Sequence, residues 1–261
     1  MTGANVITTL LNASSDLALA ISPIIALYFL INALQRITLN NAFSLIGVKG
    51  VIATGLIGVT LHEVSHAIMC FVFRHKVHRI VFFSLGRDGT LGYLEHSYNI
   101  KSLYQRIGLF FIGFSPLYFA FIYFYFSSLW MIELDIFSQE NTNKSFLKEC
   151  ISYTFELWNR IIASGWWGAI WFITCTSIAL HMMPSRADLR GALGGGISLL
   201  IIFCLYAVFD AMVLGAESSL DGIFKKSLAI CFFLTNVVSV LLILAAVSLL
   251  VRAVRYTIGS K

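Results

Sequence analysis

The residues best able to do chemistry are His62, Glu63 and His66, in the apolar segment GVTLHEVSHAIMCFVF. Residues four apart in a helix lie about 40° apart around its axis and one turn along it, so both imidazoles project from one face. Two imidazoles placed this way can hold one zinc ion, with Glu63 beside it as a base for water. A glutamate inside an apolar helix is costly unless it has a partner or a function. The spacing therefore predicts a metal site.

A catalytic zinc ion usually has three protein ligands and one open position. The segment SIALHMMPSRADLRGALGGG offers the third. Pro184 should break the helix there and leave Asp188 facing inward, where its carboxylate can bind zinc. The remaining histidine in this segment, His181, is an alternative ligand. Three other histidines are less persuasive, because they follow the apolar run or close a predicted hairpin: His75, His78 and His96.

The composition indicates a membrane protein. Of the 261 residues, 58% are hydrophobic and 12% are charged, whereas soluble domains average about 25% charged residues. The net charge of +5 comes from scattered Lys and Arg rather than one basic face, which argues against nucleic-acid binding. The five cysteines form no C-x-x-C pair and indicate neither a disulfide framework nor a cysteine zinc site. We expect one integral membrane domain over residues 1–261.

Apolar runs of about 20 residues mark bilayer-spanning helices. The sequence predicts an all-α polytopic fold with about six spans: Leu17–Leu34, Ala42–Phe73, Ile107–Met131, Gly165–His181, Ile197–Leu214 and Leu228–Val251. The metalloprotease core would cover residues 42–195, with flanking helices at 17–34, 197–214 and 228–251. One side of the membrane would carry most of the 18 Lys and Arg: Arg74, Lys76, Arg79, Arg87, Lys101, Arg106, Arg186, Arg190, Arg252, Arg255 and Lys261. By the positive-inside rule that side, with both termini, is cytoplasmic.

Two segments between the spans have a predicted structure of their own. Residues Val77–Phe83 favour a strand, Gly86–Gly89 a turn and Thr90–Leu94 a return strand, which predicts a small β-hairpin between the second and third spans. A plain connecting loop is the alternative. The acidic segment Glu133–Arg160 is expected to be an exposed external loop with a short helix.

These motifs resemble the site-2 proteases, a family of intramembrane zinc metalloproteases. The resemblance runs through HEVSHAIMCFVFRHKVHRIVFF, residues 62–83, where the family has H-E-x-x-H on a helix followed by a short sheet. It returns at His181–Gly191, against the family pattern N-x-x-P-x-x-x-x-D-G. The resemblance implies that His62, His66 and Asp188 bind zinc, that Glu63 is the general base, and that these motifs lie on the second and fourth of about six spans. It also implies a prokaryotic cytoplasmic (inner) membrane.

The second motif departs from the family pattern in two ways. His181 replaces the family asparagine, and Asp188 follows Pro184 by four residues rather than five. The shorter spacing could rotate the carboxylate away from zinc. His181 could then be the third ligand, or could take the asparagine's role of hydrogen-bonding the substrate backbone or oxyanion.

The expected function is an intramembrane zinc endopeptidase acting on membrane-spanning or membrane-adjacent proteins. The hairpin at Ile80–Leu94 would offer an edge on which an unwound substrate adds as a strand. A catalytically silent membrane scaffold is the main alternative, motivated by the departures around Asp188. A transporter or channel subunit is a third, although the two halves show no internal repeat. The sequence predicts neither the substrate nor the oligomeric state.

Overall fold

The computed structural model describes residues 3–84, 91–135, 146–213, 237–238, 240–241, 244–254 and 256. Within these residues the elements are α1 (Gly3–Val72), β1 (Lys76–Val81), β2 (Tyr93–Ser97), α2 (Leu103–Gly113), α3 (Ser115–Met131), α4 (Phe146–Ala163), α5 (Trp166–Ala179) and α6 (Arg186–Val213). A further short apolar helix covers Leu244–Val254. The predicted fold, mostly helical with a small antiparallel sheet, is confirmed.

Helix α1 is broken at Gly47, whose backbone has φ 66° and ψ −174°. Glycine adopts a positive φ without steric penalty, which explains why the break falls on this residue. The part after the break, Gly47–Val72, has 26 residues and is apolar enough to cross a membrane. Of the most hydrophobic 18-residue stretch of this helix, only 39% is buried within the protein. Much of the apolar surface of the helix therefore faces outward.

Helices α2 and α3 together match the predicted third span, but they meet at an angle of 57°. Phe114 separates them, and Pro116 lies in the first turn of α3. Proline has no N–H and cannot donate to the carbonyl four residues earlier. The carbonyl of Ile112 therefore has no helical donor, and the helix breaks at this place.

The predicted number of six membrane-spanning helices is not supported. In the described part of the chain, Gly47–Val72 is one membrane-capable helix, and the bent pair α2 and α3 is a second if it forms one broken span. Helix α5, which lies at the predicted fourth span, has 14 residues and is too short to cross a membrane by itself. The predicted spans 17–34, 197–214 and 228–251 include residues or side chains outside the described part.

The hairpin is present, but its second strand was predicted at the wrong residues. Strands β1 and β2 are antiparallel, with Lys76 opposite Ser97 and Val81 opposite Tyr93. The return strand thus begins three residues later than predicted. The register shifts between Val77 and Arg79, as it does when one extra residue forms a β-bulge. The predicted turn, 86–89, lies outside the described residues.

The segment Glu133–Arg160, predicted to be an exposed loop with a short helix, does contain a helix, but the prediction that this part is exposed is wrong. Helix α4 has 18 residues, and Tyr153, Leu157 and Ile161 on it are buried in the main core beside Trp171 and Ile178 of α5. Because the three residues are four apart, they form one apolar face of the helix. The polar residues between them conceal this face when only composition is considered.

Glycines bring α6 against α2. A Cβ added at Gly195 would clash with the backbone of Arg106 and Phe110, and one added at Gly113 would lie 2.5 Å from the carbonyl oxygen of Asp188. Small residues allow helix backbones to approach closely in membrane proteins. The first turn of α6 therefore packs directly on the end of α2, next to the histidines of α1.

Candidate metal centre

The structure brings together three of the residues singled out from the sequence. The candidate ligand atoms of His62, His66 and Asp188 lie within 4.8 Å of one another. The Nε2 atom of His62 is 3.8 Å from Oδ2 of Asp188, and Nε2 of His66 is 3.5 Å from Oδ1. Two histidines on one helix face and an aspartate from α6 thus converge on a single point.

The separations within this group suit a shared metal ion. Two ligands 2.0–2.1 Å from one tetrahedral zinc ion lie roughly 3.4 Å apart, close to the observed values. Hydrogen bonds of this type are shorter, about 2.7–2.9 Å. Nε2 of His66 is buried and has no hydrogen-bond partner. A buried polar atom without a partner is destabilising, and a metal ion at this point would satisfy it.

Both histidines present the nitrogen needed for metal binding. Nδ1 of His62 lies 2.8 Å from the carbonyl oxygen of His181, and Nδ1 of His66 lies 2.8 Å from that of Ile112. A carbonyl only accepts, so each Nδ1 carries the proton and donates it. The lone pair on each Nε2 then faces Asp188. Metal-binding histidines are commonly oriented by a hydrogen bond of this kind.

Two helix ends supply the carbonyl groups. The carbonyl of Ile112 has no donor four residues on, because Pro116 has no N–H, and it accepts from the Ser115 hydroxyl at 2.8 Å as well as from His66. His181 follows the last turn of α5, and the N–H of Ser185, four residues on, donates instead to Oδ2 of Asp188 at 2.7 Å. The broken helices at both prolines therefore position the histidines of α1.

Asp188 is held in place by the first turn of α6. The N–H of Ser185 donates to the Asp188 carboxylate, and the N–H of Asp188 donates to the Ser185 hydroxyl at 3.2 Å. This reciprocal arrangement is a capping box. With the spacing of four from Pro184, the Asp188 carboxylate faces the two histidines. His181 does not join this group through its ring, because its Nε2 lies 3.3 Å from the Thr54 hydroxyl.

Glu63 is buried, with 7% of its surface exposed. It packs against the start of the return strand, since a Cβ added at Gly92 would lie 2.9 Å from Cγ of Glu63 and 3.1 Å from the carbonyl oxygen of Val81. Only glycine permits this approach. The turn-proximal end of the hairpin is thus next to the predicted base.

A second group of possible ligands was missed by the sequence analysis. Cys70, His75 and His96 also have candidate ligand atoms within 4.8 Å of one another. Burial lowers the pKa of His75 and lowers that of His96 to about 4, so both rings are neutral near pH 7. The available signal was that Cys70 follows His66 by four residues, on the same helix face.

Comparison of the chain with protein-family models, with curated proteins and with solved structures gives no match.

Proposed function

We propose that the protein is an intramembrane zinc endopeptidase similar to the site-2 proteases. The observation that carries the proposal is the convergence of His62, His66 and Asp188, with both Nδ1 atoms bonded to carbonyls and Nε2 of His66 left without a partner. A purely structural site would not need a carboxylate such as Glu63 next to its ligands. Two imidazoles and one carboxylate also leave a position open for water.

The location of the site supports a substrate within the membrane. His66 and His62 precede Val72, the end of α1, by six and ten residues, which corresponds to about 9 and 15 Å along a helix. The hydrocarbon core of a bilayer is about 30 Å thick, so a helix ending at its surface would carry the site towards its middle. Phe71 and Trp166 are 84% and 86% exposed, as expected of side chains that face lipid.

The residues of the chain have distinct roles in this proposal. Zinc, when bound, would supply a water of lowered pKa and would polarise the scissile carbonyl. Glu63 would accept the proton from that water and pass it to the leaving amine. The carbonyls of Ile112 and His181 would hold the two imidazoles in their metal-binding orientation, while His181 would reach the substrate only if its ring left Thr54.

The partners follow from the same proposal. The substrate is a membrane-spanning or membrane-adjacent protein whose helix has unwound, since peptide groups in a helix are occupied by their own hydrogen bonds. The end of the hairpin at Val81 and Gly92 lies beside Glu63, and strands β1 and β2 are suited to receive an extended segment. We place the protein in a prokaryotic cytoplasmic membrane, with both termini cytoplasmic and further spans in the flanking segments.

Replacing Glu63 with glutamine tests the chemistry. The assay measures cleavage of fluorescent transmembrane-helix peptides that contain a central Gly-Pro pair, in detergent with added Zn²⁺. We expect Glu63→Gln to lose at least about 100-fold in activity, because a general base commonly contributes 10²–10⁴-fold, while the protein still binds zinc. Glu133→Gln is the matched control, since Glu133 is an exposed glutamate after the end of α3, outside the site and the hairpin.

Two results would contradict the proposal. Equal cleavage by Glu63→Gln and the wild type would remove Glu63 from the chemistry. A zinc-loaded wild type that cleaves none of these peptides, in detergent or in liposomes, would favour the catalytically silent scaffold.

A further inference from the structure

We propose that Cys70, His75 and His96 form a second metal site, for Zn²⁺ or an ion of similar ligand preference, which fastens the hairpin to the end of α1. One thiolate and two imidazoles are ligands that zinc prefers. The three residues come from three different places in the fold: the last turns of α1, the turn after it, and strand β2.

The ring nitrogens of the two histidines already face each other. Nδ1 of His75 lies 3.0 Å from Nδ1 of His96, a little less than the separation of about 3.4 Å expected of two ligands on one tetrahedral ion. Nε2 of His75 lies 2.8 Å from the carbonyl oxygen of Gln105. That carbonyl can only accept, so the proton is on Nε2 and the lone pair of His75 is on Nδ1, facing His96 and Cys70.

Gln105, whose carbonyl orients His75, is itself held in place. Its side-chain amide donates to the carbonyl of Arg74 at 2.8 Å, and its side-chain oxygen accepts from the N–H of Asn99 at 2.6 Å. Tyr98 stacks on the His75 ring with the ring centres 5.4 Å apart. The imidazole is thus fixed on two sides, as metal-binding histidines commonly are.

A strained turn brings His75 back towards Cys70. Arg74 has φ 57°, a left-handed conformation that glycine usually provides at a helix end. The N–H of His75 donates to the carbonyl of Cys70 at 2.8 Å, and that of Arg74 to the carbonyl of Phe71 at 3.1 Å. An arginine in this conformation is strained, and such strain concentrates at functional sites.

The second site would be separate from the first. Cys70 is one helical turn beyond His66, or about 6 Å along the axis. Two ions that share a bridging ligand are about 3.5–4 Å apart, so the two sites would not form one binuclear centre. Binding at the second site would release the Cys70 thiol proton to solvent. It would hold β2, and with it the Gly92 backbone, against Glu63.

Metal content and cobalt absorption test the proposal. The full-length protein is purified in detergent, loaded with Zn²⁺ or Co²⁺, freed of excess ion, and its metal content is measured by mass spectrometry. We expect about two ions per chain, falling to about one in Cys70→Ser and in His96→Gln. His96→Gln is included because His96 is only half-buried and its replacement leaves the Cys70 thiol in place.

Cobalt distinguishes this site from the first one. A thiolate bound to Co²⁺ gives a near-ultraviolet charge-transfer band that nitrogen and oxygen ligands do not give. We expect the band in the wild type and in Asp188→Ala, but not in Cys70→Ser. Cys175→Ser is the matched control, because Cys175 is also a buried free thiol but lies on α5. His78→Gln is a second control, because His78 is a histidine of the hairpin that does not belong to the group, and the band should remain in it.

Absence of the thiolate band in the cobalt-loaded wild type would overturn the proposal, and so would a metal content unchanged by both Cys70→Ser and His96→Gln. The group would then be a hydrogen-bonded histidine pair beside a core cysteine. Loss of the band in Asp188→Ala as well would also overturn it, since the two sites would not be independent. The band does not depend on proteolysis, so this result stands apart from the peptide assay.

Discussion

Adding one methyl group at Gly113 should weaken metal binding without changing any ligand. The Cβ of an alanine there would lie 2.5 Å from the carbonyl oxygen of Asp188 and 2.8 Å from Cβ of Ala192, whereas ordinary contacts begin at 3.4 Å. Because the nearest atom is backbone, α6 must move away by about 1 Å, and Asp188 must move with it. Metal–ligand distances tolerate only about 0.2 Å.

Gly113→Ala should lower both the stability of the protein and its affinity for metal. Overpacking of this kind typically destabilises a protein by about 1–3 kcal/mol. Misplacing a ligand should lower metal affinity by about 10–100-fold, the range seen when the support of a ligand is removed. Zinc affinity is measured by competition with a chromophoric chelator, and unfolding by thermal denaturation in detergent.

The matched control is Gly194→Ala, on α6, the helix that carries Asp188. A Cβ at Gly194 meets nothing within 4 Å, so alanine should be neutral or stabilising by up to about 1 kcal/mol, the difference in helix propensity. Equal zinc affinity in the two variants would refute the reasoning, because the contact between α2 and α6 would then not position Asp188.

Two further variants test the supports of the site. Ser185→Ala removes the hydroxyl that accepts from the N–H of Asp188, and we expect a loss of about 1 kcal/mol in stability together with weaker zinc binding; unchanged affinity would show that the capping box does not orient the carboxylate. Gly58→Ala would clash with the carbonyl of Ser177 on α5, whereas the nearest neighbours of an alanine at Gly55 are the side-chain ends of Phe83, Leu91 and Val59. Thermal unfolding should therefore show a loss of about 1–3 kcal/mol for the first and little change for the second; equal losses would contradict the reasoning.

The parts of the fold that local spacing determines could be predicted from the sequence. His62 and His66 share a helix face because they are four residues apart, and the β-branched and aromatic residues after Val77 favour a strand. The bend near Pro116 follows from a missing N–H. The return strand was placed three residues early because its position depends on packing of Gly92 against Glu63, which no local pattern records.

Contacts between distant segments could not be predicted from the residues alone. Asp188 was proposed as a ligand from the break at Pro184 and from the family resemblance, with His181 as the alternative, but its approach to His66 depends on the contact of Gly113 with α6. The residues Cys70, His75 and His96 have irregular spacing and meet only because a turn at Arg74 and the hairpin register bring them together. Helix α4 was expected to be short and exposed because its apolar face is narrow.

The proline at position 116 has a consequence for protein design. It offers no ligand atom of its own, yet because it has no N–H the Ile112 carbonyl can accept from His66. Grafting H-E-x-x-H into a bundle of unbroken apolar helices would therefore supply the two histidines. It would not supply the backbone carbonyls that accept from their Nδ1 atoms and leave Nε2 free for a metal ion. A host scaffold for such a graft must have an interrupted neighbouring helix at the same level, and a search for scaffolds can begin with those interruptions rather than with the ligands.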